Sequence, residues 1–179
     1  VDTATVKHVL PGAIWGGSWY WTVTFSPDSR LVAAVTLSPI IRVWEVETGE
    51  VIAELNHWGD GLGFGAVRFS PDGNWLAAAG NGIAIWEAQK FTLHRIIRTT
   101  NLQEGSFTFS PDSQWLIGST GNPPDKTLFW NVETGEVDLE LPTGIAVTAE
   151  FSPDGRWLAT GKWCTEEGGY EPAMKFWDV

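Results

Sequence analysis

Apolar residues in this chain fall into short runs, many of them alternating with polar ones, and the runs are separated by clusters rich in Pro, Gly, Asn, Asp and Ser. Alternation with a period of two predicts β-strands, because successive side chains point to opposite faces of a sheet. A first group of four strands is read over Trp21 to Phe25, Leu31 to Thr36, Ile41 to Val46 and Val51 to Leu55. A second follows over Ala66 to Phe69, Trp75 to Gly80, Ile83 to Trp86 and Thr92 to Arg98. The third covers Ser106 to Phe109, Trp115 to Ser119, Thr127 to Val132 and Val137 to Leu141. The fourth group has only three strands, Val147 to Phe151, Trp157 to Thr160 and Met174 to Val179. Ahead of them all, Val1 to Leu10 contains the β-branched stretch TVKHVL and reads as a lone strand ending at Pro11 and Gly12.

The turns between these strands repeat as faithfully as the strands. Phe-Ser-Pro-Asp occurs at Phe25 to Asp28, Phe69 to Asp72, Phe109 to Asp112 and Phe151 to Asp154, with successive copies 44, 40 and 42 residues apart. Proline presets φ at the first corner of a tight turn and aspartate accepts a local backbone hydrogen bond. Glu-Thr-Gly-Glu recurs at Glu47 to Glu50 and Glu133 to Glu136, and Asn81-Gly82 is a strong hairpin signal. Repeats of about 40 to 45 residues built from short strands have the spacing of β-propeller blades.

The repeats also carry third-strand tryptophans: Val-Trp-Glu-Val-Glu-Thr-Gly-Glu around Trp44, Ile-Trp-Glu at Trp86, Phe-Trp-Asn-Val-Glu-Thr-Gly-Glu at Trp130 and Phe-Trp-Asp-Val at Trp177. Together with Phe-Ser-Pro-Asp and the following Trp-Leu-Ala, these resemble the WD40 repeat family over essentially the whole chain. The resemblance implies an all-β propeller of four-stranded antiparallel blades, four in this chain, that acts as a rigid platform for other macromolecules. The approximate blades are 13–55, 56–98, 99–141 and 142–179, with the strand at 1–10, in a single domain spanning 1–179. One departure stands out. The family often sets a Gly-His pair before the first strand, whose histidine bonds to a strand hydroxyl and the tryptophan, yet only His57 lies near such a position. Packing alone is expected to hold that corner in most blades.

A propeller has no free edges when its ring closes, and the family closes it by letting one end of the chain complete the blade begun by the other. Here the first strand has the phase of a fourth strand, and the last blade lacks one. Four blades in one ring need about 90° between neighbours, whereas eight need about 45°. Val67, Leu76, Ala78 and Ile85 suit the larger ring. The expectation is a homodimer: two chains joined head to tail as an eight-bladed ring, each lending Val1 to Leu10 to the other. A self-closed four-bladed monomer and a piece of a longer propeller are the rivals.

Composition narrows the functional classes. Eleven Lys and Arg against 22 Asp and Glu give a net charge of -11, with no basic cluster, so nucleic acid is not an expected partner. No apolar run approaches the roughly 18 residues of a membrane span, so no membrane association is expected either. A single cysteine, Cys164, precludes an intramolecular disulfide framework, and a cytoplasmic setting is expected. Cys164, Glu166, Glu167 and Glu171 lack the paired spacing of a metal site, so no metal and no cofactor are expected. No nucleophile elbow, phosphate loop or metal-binding histidine pair is present, and catalysis is not expected. Asp28, Asp72, Asp112 and Asp154 resemble a carboxylate ring but are accounted for by the turns.

Twelve tryptophans remain to be placed. Trp44, Trp86, Trp130 and Trp177, with Trp75, Trp115 and Trp157 on second strands, recur with the repeat and are read as packing. Trp15, Trp19, Trp21, Trp58 and Trp163 have no counterpart in other repeats. In the family's layout, loops from fourth to first strands and from second to third strands share one face. Trp15, Trp19, Tyr20, Trp58, Asp60, Phe64, Trp163 and Tyr170 lie in or beside such loops and form the expected partner-binding set. Tryptophan and tyrosine are enriched at binding hot spots, and loops on rigid scaffolds commonly carry recognition. A noncatalytic scaffold for a protein or peptide follows. The alternatives are small-ligand or glycan binding by the tryptophans and a purely structural assembly unit.

Overall fold

The computed structural model describes residues 4–10, 20–36, 40–56, 64–99, 102, 107–120, 126–143, 146–162 and 173–179. Blade one consists of β1 (Tyr20–Phe25), β2 (Leu31–Thr36), β3 (Ile40–Glu45) and β4 (Val51–Asn56). Blade two follows with β5 (Phe64–Phe69), β6 (Trp75–Gly80), β7 (Ile83–Glu87) and β8 (Thr92–Ile97). Blade three has β9 (Thr108–Phe109), β10 (Trp115–Ser119), β11 (Thr127–Asn131) and β12 (Val137–Leu141), and blade four has β13 (Ala146–Phe151), β14 (Trp157–Lys162) and β15 (Ala173–Asp178). Every strand pairs antiparallel with its sequence neighbour, giving three four-stranded sheets and one of three strands among the described residues. The fold is an all-β propeller arc, with bounds within a few residues of those read from alternation.

One hydrogen-bonded knot, repeated four times, sets the first hairpin of each blade. The hydroxyls of Ser26, Ser70, Ser110 and Ser152 each donate to the aspartate two residues on, at 2.5 to 2.6 Å. The same oxygens accept the backbone N–H of Leu31, Trp75, Trp115 and Trp157, each at 2.9 Å. The carboxylates in turn accept the N–H of Arg30, Asn74, Gln114 and Arg156. The residue after each aspartate takes positive φ: Ser29 (61°), Gly73 (74°), Ser113 (62°) and Gly155 (75°). Its N–H returns to the serine carbonyl, closing a tight turn that ends in a left-handed residue, within a four-residue hairpin loop closed by the serine N–H on the carbonyl five residues on.

Packing between neighbouring blades follows one positional rule. Val67, Phe69, Leu76, Ala78 and Trp86 of blade two bury against Ala33, Val35, Ile41, Val43 and Leu55 of blade one. Phe107, Phe109, Leu116, Trp130 and Val132 of blade three repeat the arrangement against Ala77, Ala79, Ile83, Ile85 and Ile97 of blade two. Blade four does the same with Ala149, Phe151, Leu158 and Trp177 against Ile117, Phe129 and Leu141. Polar links tie these faces. Val67 N–H donates to Thr22 Oγ1 (2.9 Å), Arg68 Nε to the Phe107 carbonyl (2.8 Å) and Asp72 N–H to Ser113 Oγ (3.1 Å). Gly118 marks a close approach, since a Cβ there would stand 2.9 Å from Leu102 Cδ2 and 3.1 Å from the Trp130 ring.

One sequence expectation needs correction. Residues 4–10 form no strand within this chain. A strand needs a ladder partner, and these residues instead run across the β3–β4 turn, where His8 Nε2 meets the Glu47 carbonyl at 2.9 Å and Lys7 pairs with the Glu47 carboxylate. One tryptophan corner is held by more than packing. In blade four Trp177 Nε1 donates to Thr160 Oγ1 at 2.9 Å, while the matching second-strand positions are Ala34, Ala78 and Gly118, which lack a hydroxyl.

The knot makes two predictions. Ser70 is fully buried and satisfies two partners, so Ser70→Ala leaves the Trp75 N–H without an acceptor and is expected to cost about 1–3 kcal/mol in urea unfolding. The Ser26 and Ser152 hydroxyls hold the carboxyls of Asp28 and Asp154 below the ordinary value. At Asp72 burial pushes upward, but the hydrogen bonds from Ser70 and Asn74 prevail and the carboxyl is again lowered. A lowered folded-state pKa contributes stability in full above the unfolded value, and that stability is lost as pH falls through the folded value. Thermal midpoints should therefore drop on acidification below about pH 4, and the triple variant D28N/D72N/D154N should show a flatter acid limb.

Candidate functional site

Antiparallel meandering divides the strand ends between two faces. The starts of first and third strands and the ends of second and fourth strands lie on one face; the Ser-Pro-Asp and Glu-Thr-Gly-Glu turns lie on the other. On the first face Tyr20 opens β1 opposite Thr36 and Phe64 opens β5 opposite Gly80, at equivalent registers in adjacent blades. Trp15, Trp19, Trp58, Asp60, Trp163 and Tyr170 lie outside the described residues. The strand ends that flank them do not: Tyr20, Asn56 and Phe64, and Lys162 and Ala173, all belong to this same face. The backbone thus brings the anchoring points of the predicted set together on one side of the arc.

The opposite face carries features that strand and motif reading missed. Between blades three and four lies a groove of about 520 Å³, floored by Trp115, Phe129, Leu139 and Phe151 and rimmed by Asp112, Asp138 and Asp154. Trp115 Nε1 donates to Asp138 Oδ2 at 2.9 Å, and Asn131 Nδ2 reaches the same oxygen at 3.3 Å. Its lining includes no Lys or Arg, so it is an apolar floor under an acidic rim. A second groove of about 560 Å³ between blades one and two has Leu31, Ile52, Phe69 and Phe91 beside Asp28, Asp72 and Arg30. The only signal for these grooves lay in the spacing of blades, which a linear reading does not give. The four repeat aspartates are each committed to a serine hydroxyl and a backbone N–H in their turns. Among the described residues, no group of three or more His, Cys, Asp or Glu is placed to hold a metal ion. None of their helices is long and apolar enough to cross a membrane.

Of the seven repeat tryptophans, Trp44, Trp86 and Trp130 are buried and Trp75, Trp115 and Trp177 pack half-buried against the junction clusters. Trp157 is 40% exposed. Trp75 and Trp115 lie against the next blade, whereas no sheet among the described residues covers Trp157, at the same position in blade four.

Four meandering blades, a buried third-strand tryptophan in three of them and a repeated turn define a WD40-type propeller. The chain carries repeats of the WD40 type. The family model described as "WD domain, G-beta repeat" matches residues 49–86 and 142–178; the first match runs from β4 to β7, so the sequence repeat is staggered by one strand against the structural blade. Among curated proteins the chain is similar to pre-mRNA-processing factor 19 of Oryza sativa subsp. japonica, 26% identical over 155 residues, 82% of this chain and 29% of that protein. It is also similar to U3 small nucleolar RNA-associated protein 21 of Saccharomyces cerevisiae, 32% identical over 115 residues, 60% of this chain and 11% of that protein. The chain therefore spans less than a third of the length of either relative. Among solved structures, Kuenenia stuttgartiensis hydrazine synthase matches 99% of this chain and 49% of its own at a TM-score of 0.75 and 19% identity, a likeness of fold alone.

Proposed function

We propose that the chain is a noncatalytic scaffold that holds a protein or peptide on its aromatic loop face and assembles with itself into a closed propeller. One observation carries the first part: the strand ends flanking Trp15, Trp19, Trp58 and Trp163 share a face, while the conserved-looking turn chemistry is confined to the other. Repeated Ser-Pro-Asp knots make a rigid frame, and the residues that break the repeat are large aromatics on loops, where recognition is usually placed. The WD40 repeats support a platform role, and the similarity to a pre-mRNA-processing factor and a small nucleolar RNA-associated protein supports a setting among other macromolecules. The charge of -11 favours a partner carrying Lys or Arg, whose approach it steers.

Peptides selected from a displayed library on the immobilised chain provide the probe. Replacing Trp15, Trp19, Trp58 and Trp163 with Ala should weaken their binding by more than about tenfold, as expected for aromatic hot spots, with an unchanged circular dichroism spectrum. Single Trp58→Ala and Trp163→Ala variants guard against loss of fold. Tryptophan fluorescence responding to oligosaccharides and not to peptides would replace this reading with glycan stacking.

A further inference from the structure

We propose that the groove between blades one and two docks a peptide segment of a partner carrying a Lys or Arg beside a bulky apolar side chain, the cation set against Asp28 and Asp72 and the apolar group on Leu31, Ile52 and Phe91. The groove lies on the turn face, opposite the aromatic loops, and stands independently of the loop-face reading.

The groove exists because blade one is built from smaller side chains at one place in the repeat. The first residue of the second strand and the second residue of the fourth strand fill the same corner of each blade. In blade two they are Trp75 and His94, whose ring centroids lie 4.6 Å apart. In blade three they are Trp115 and Asp138, joined by the indole N–H at 2.9 Å. Blade one has Leu31 and Ile52 there, without the bulk of an indole, and a groove of about 560 Å³ opens over them. Its other wall comes from blade two, with Phe69, Asp72, Asn74 and Phe91. Both blades have four strands among the described residues, so the groove is an interior junction of the arc. Ile52 is nevertheless 45% exposed.

Phe91 is the second departure. In the turn from third to fourth strand, the N–H of Gly49, Phe91 or Gly135 returns to the carbonyl of Glu45, Glu87 or Asn131. Both glycines have φ 73°, in the left-handed region that suits them, yet Phe91 takes the same region at φ 55°. A bulky residue is strained there and persists only where its surroundings hold it, and such strain gathers at ligand clamps among other functional sites. The Phe91 ring packs half-buried on the cluster shared by blades one and two and gives the groove an aromatic wall that glycine could not.

Charge selects the occupant. Asp28 accepts only from neutral donors, the Ser26 hydroxyl and the Arg30 backbone N–H, and both bonds fall on Oδ1. Asp72 likewise accepts from the Ser70 hydroxyl and from the backbone and side-chain amides of Asn74. The cation in the lining, the Arg30 side chain, faces Glu45 at 3.9 Å, and nearby Lys90 pairs with Glu87 at 3.3 Å. Two carboxylates beside an apolar floor therefore favour a basic segment over an acidic or phosphorylated one. An apolar lining with a few placed polar groups is also the usual build of a binding site.

A displayed heptapeptide library, depleted on Ile52→Lys and then selected on the unsubstituted chain, supplies the probe. Enriched sequences should carry Lys or Arg beside a bulky apolar residue, and their binding should weaken as salt is raised. Their affinity should fall by more than about tenfold in Ile52→Lys and in Phe91→Gly, which restores the residue of the other two turns. Leu93→Lys, at an equally exposed position on the outer strand of blade two (44%), should leave it unchanged, with circular dichroism intact in all three variants. No enriched sequence, enrichment without basic residues, or equal loss in Leu93→Lys would each overturn the proposal. So would a doubled mass in light scattering that Ile52→Lys abolishes, since a second copy would then hold the groove. These peptides should bind Trp58→Ala and Trp163→Ala as they bind the unsubstituted chain, which separates failure here from failure of the loop-face reading.

Discussion

A blade of this protein cannot stand alone, because its sheet is apolar on both faces. Val67, Phe69, Leu76 and Trp86 fill one side of blade two, and Ala77, Ala79, Ile83 and Ile85 fill the other. Each fully buried Val, Leu, Ile or Phe contributes roughly 1.5–3 kcal/mol relative to its exposed state. Stability therefore resides in junctions between repeats, as in other repeat architectures. Blades two and three are covered on both sides. Among the described residues, blades one and four are each covered on one, and Val23, Phe25, Met174 and Phe176 are exposed on the other.

This dependence explains the division of labour along the repeat. Junctions work only if every sheet is held at the same twist and spacing, and the Ser-Pro-Asp knot sets the hairpin that presents Phe25, Phe69, Phe109 or Phe151 at its end. The knot is local, so it forms identically in each blade, and it commits the serine hydroxyl and a carboxylate oxygen of the exposed aspartate to the turn. The opposite rim is freed from these demands. Loops there vary in length and carry the unrepeated aromatics without disturbing the frame.

The strands were legible because two constraints acted on the same residues: alternation set each strand's extent, and turn chemistry set its ends. Leu31–Thr36, Trp75–Gly80, Trp115–Ser119 and Val137–Leu141 begin and end where the sequence places them. The amino-terminal segment was misread as a strand in its own right because alternation records which faces a residue can present, while a strand also needs a ladder partner. Val6 and Val9 are β-branched residues of the kind that favour strands and are exposed nonetheless. The Trp115 groove was invisible for a related reason, since its walls come from two blades about 40 residues apart in the chain. The aromatic loop set rests on topology: Tyr20 and Phe64 can be placed on one face because strand direction dictates it, while the loop residues themselves follow no periodicity.

Ring closure and recognition are linked by symmetry. In a head-to-tail pair of arcs, the twofold axis runs through the centre of the disc, so both loop faces point the same way and each aromatic cluster appears twice on one surface. A partner with two matching segments engages the second at a high effective concentration once the first is bound. A partner with a single segment gains nothing from the pair. The net charge of -11 strengthens long-range attraction for a basic partner and is screened by salt within about a Debye length of 8 to 10 Å. The aromatic rings, by contrast, act only at contact. Charge thus governs how fast such a partner arrives, and the aromatics govern how long it stays.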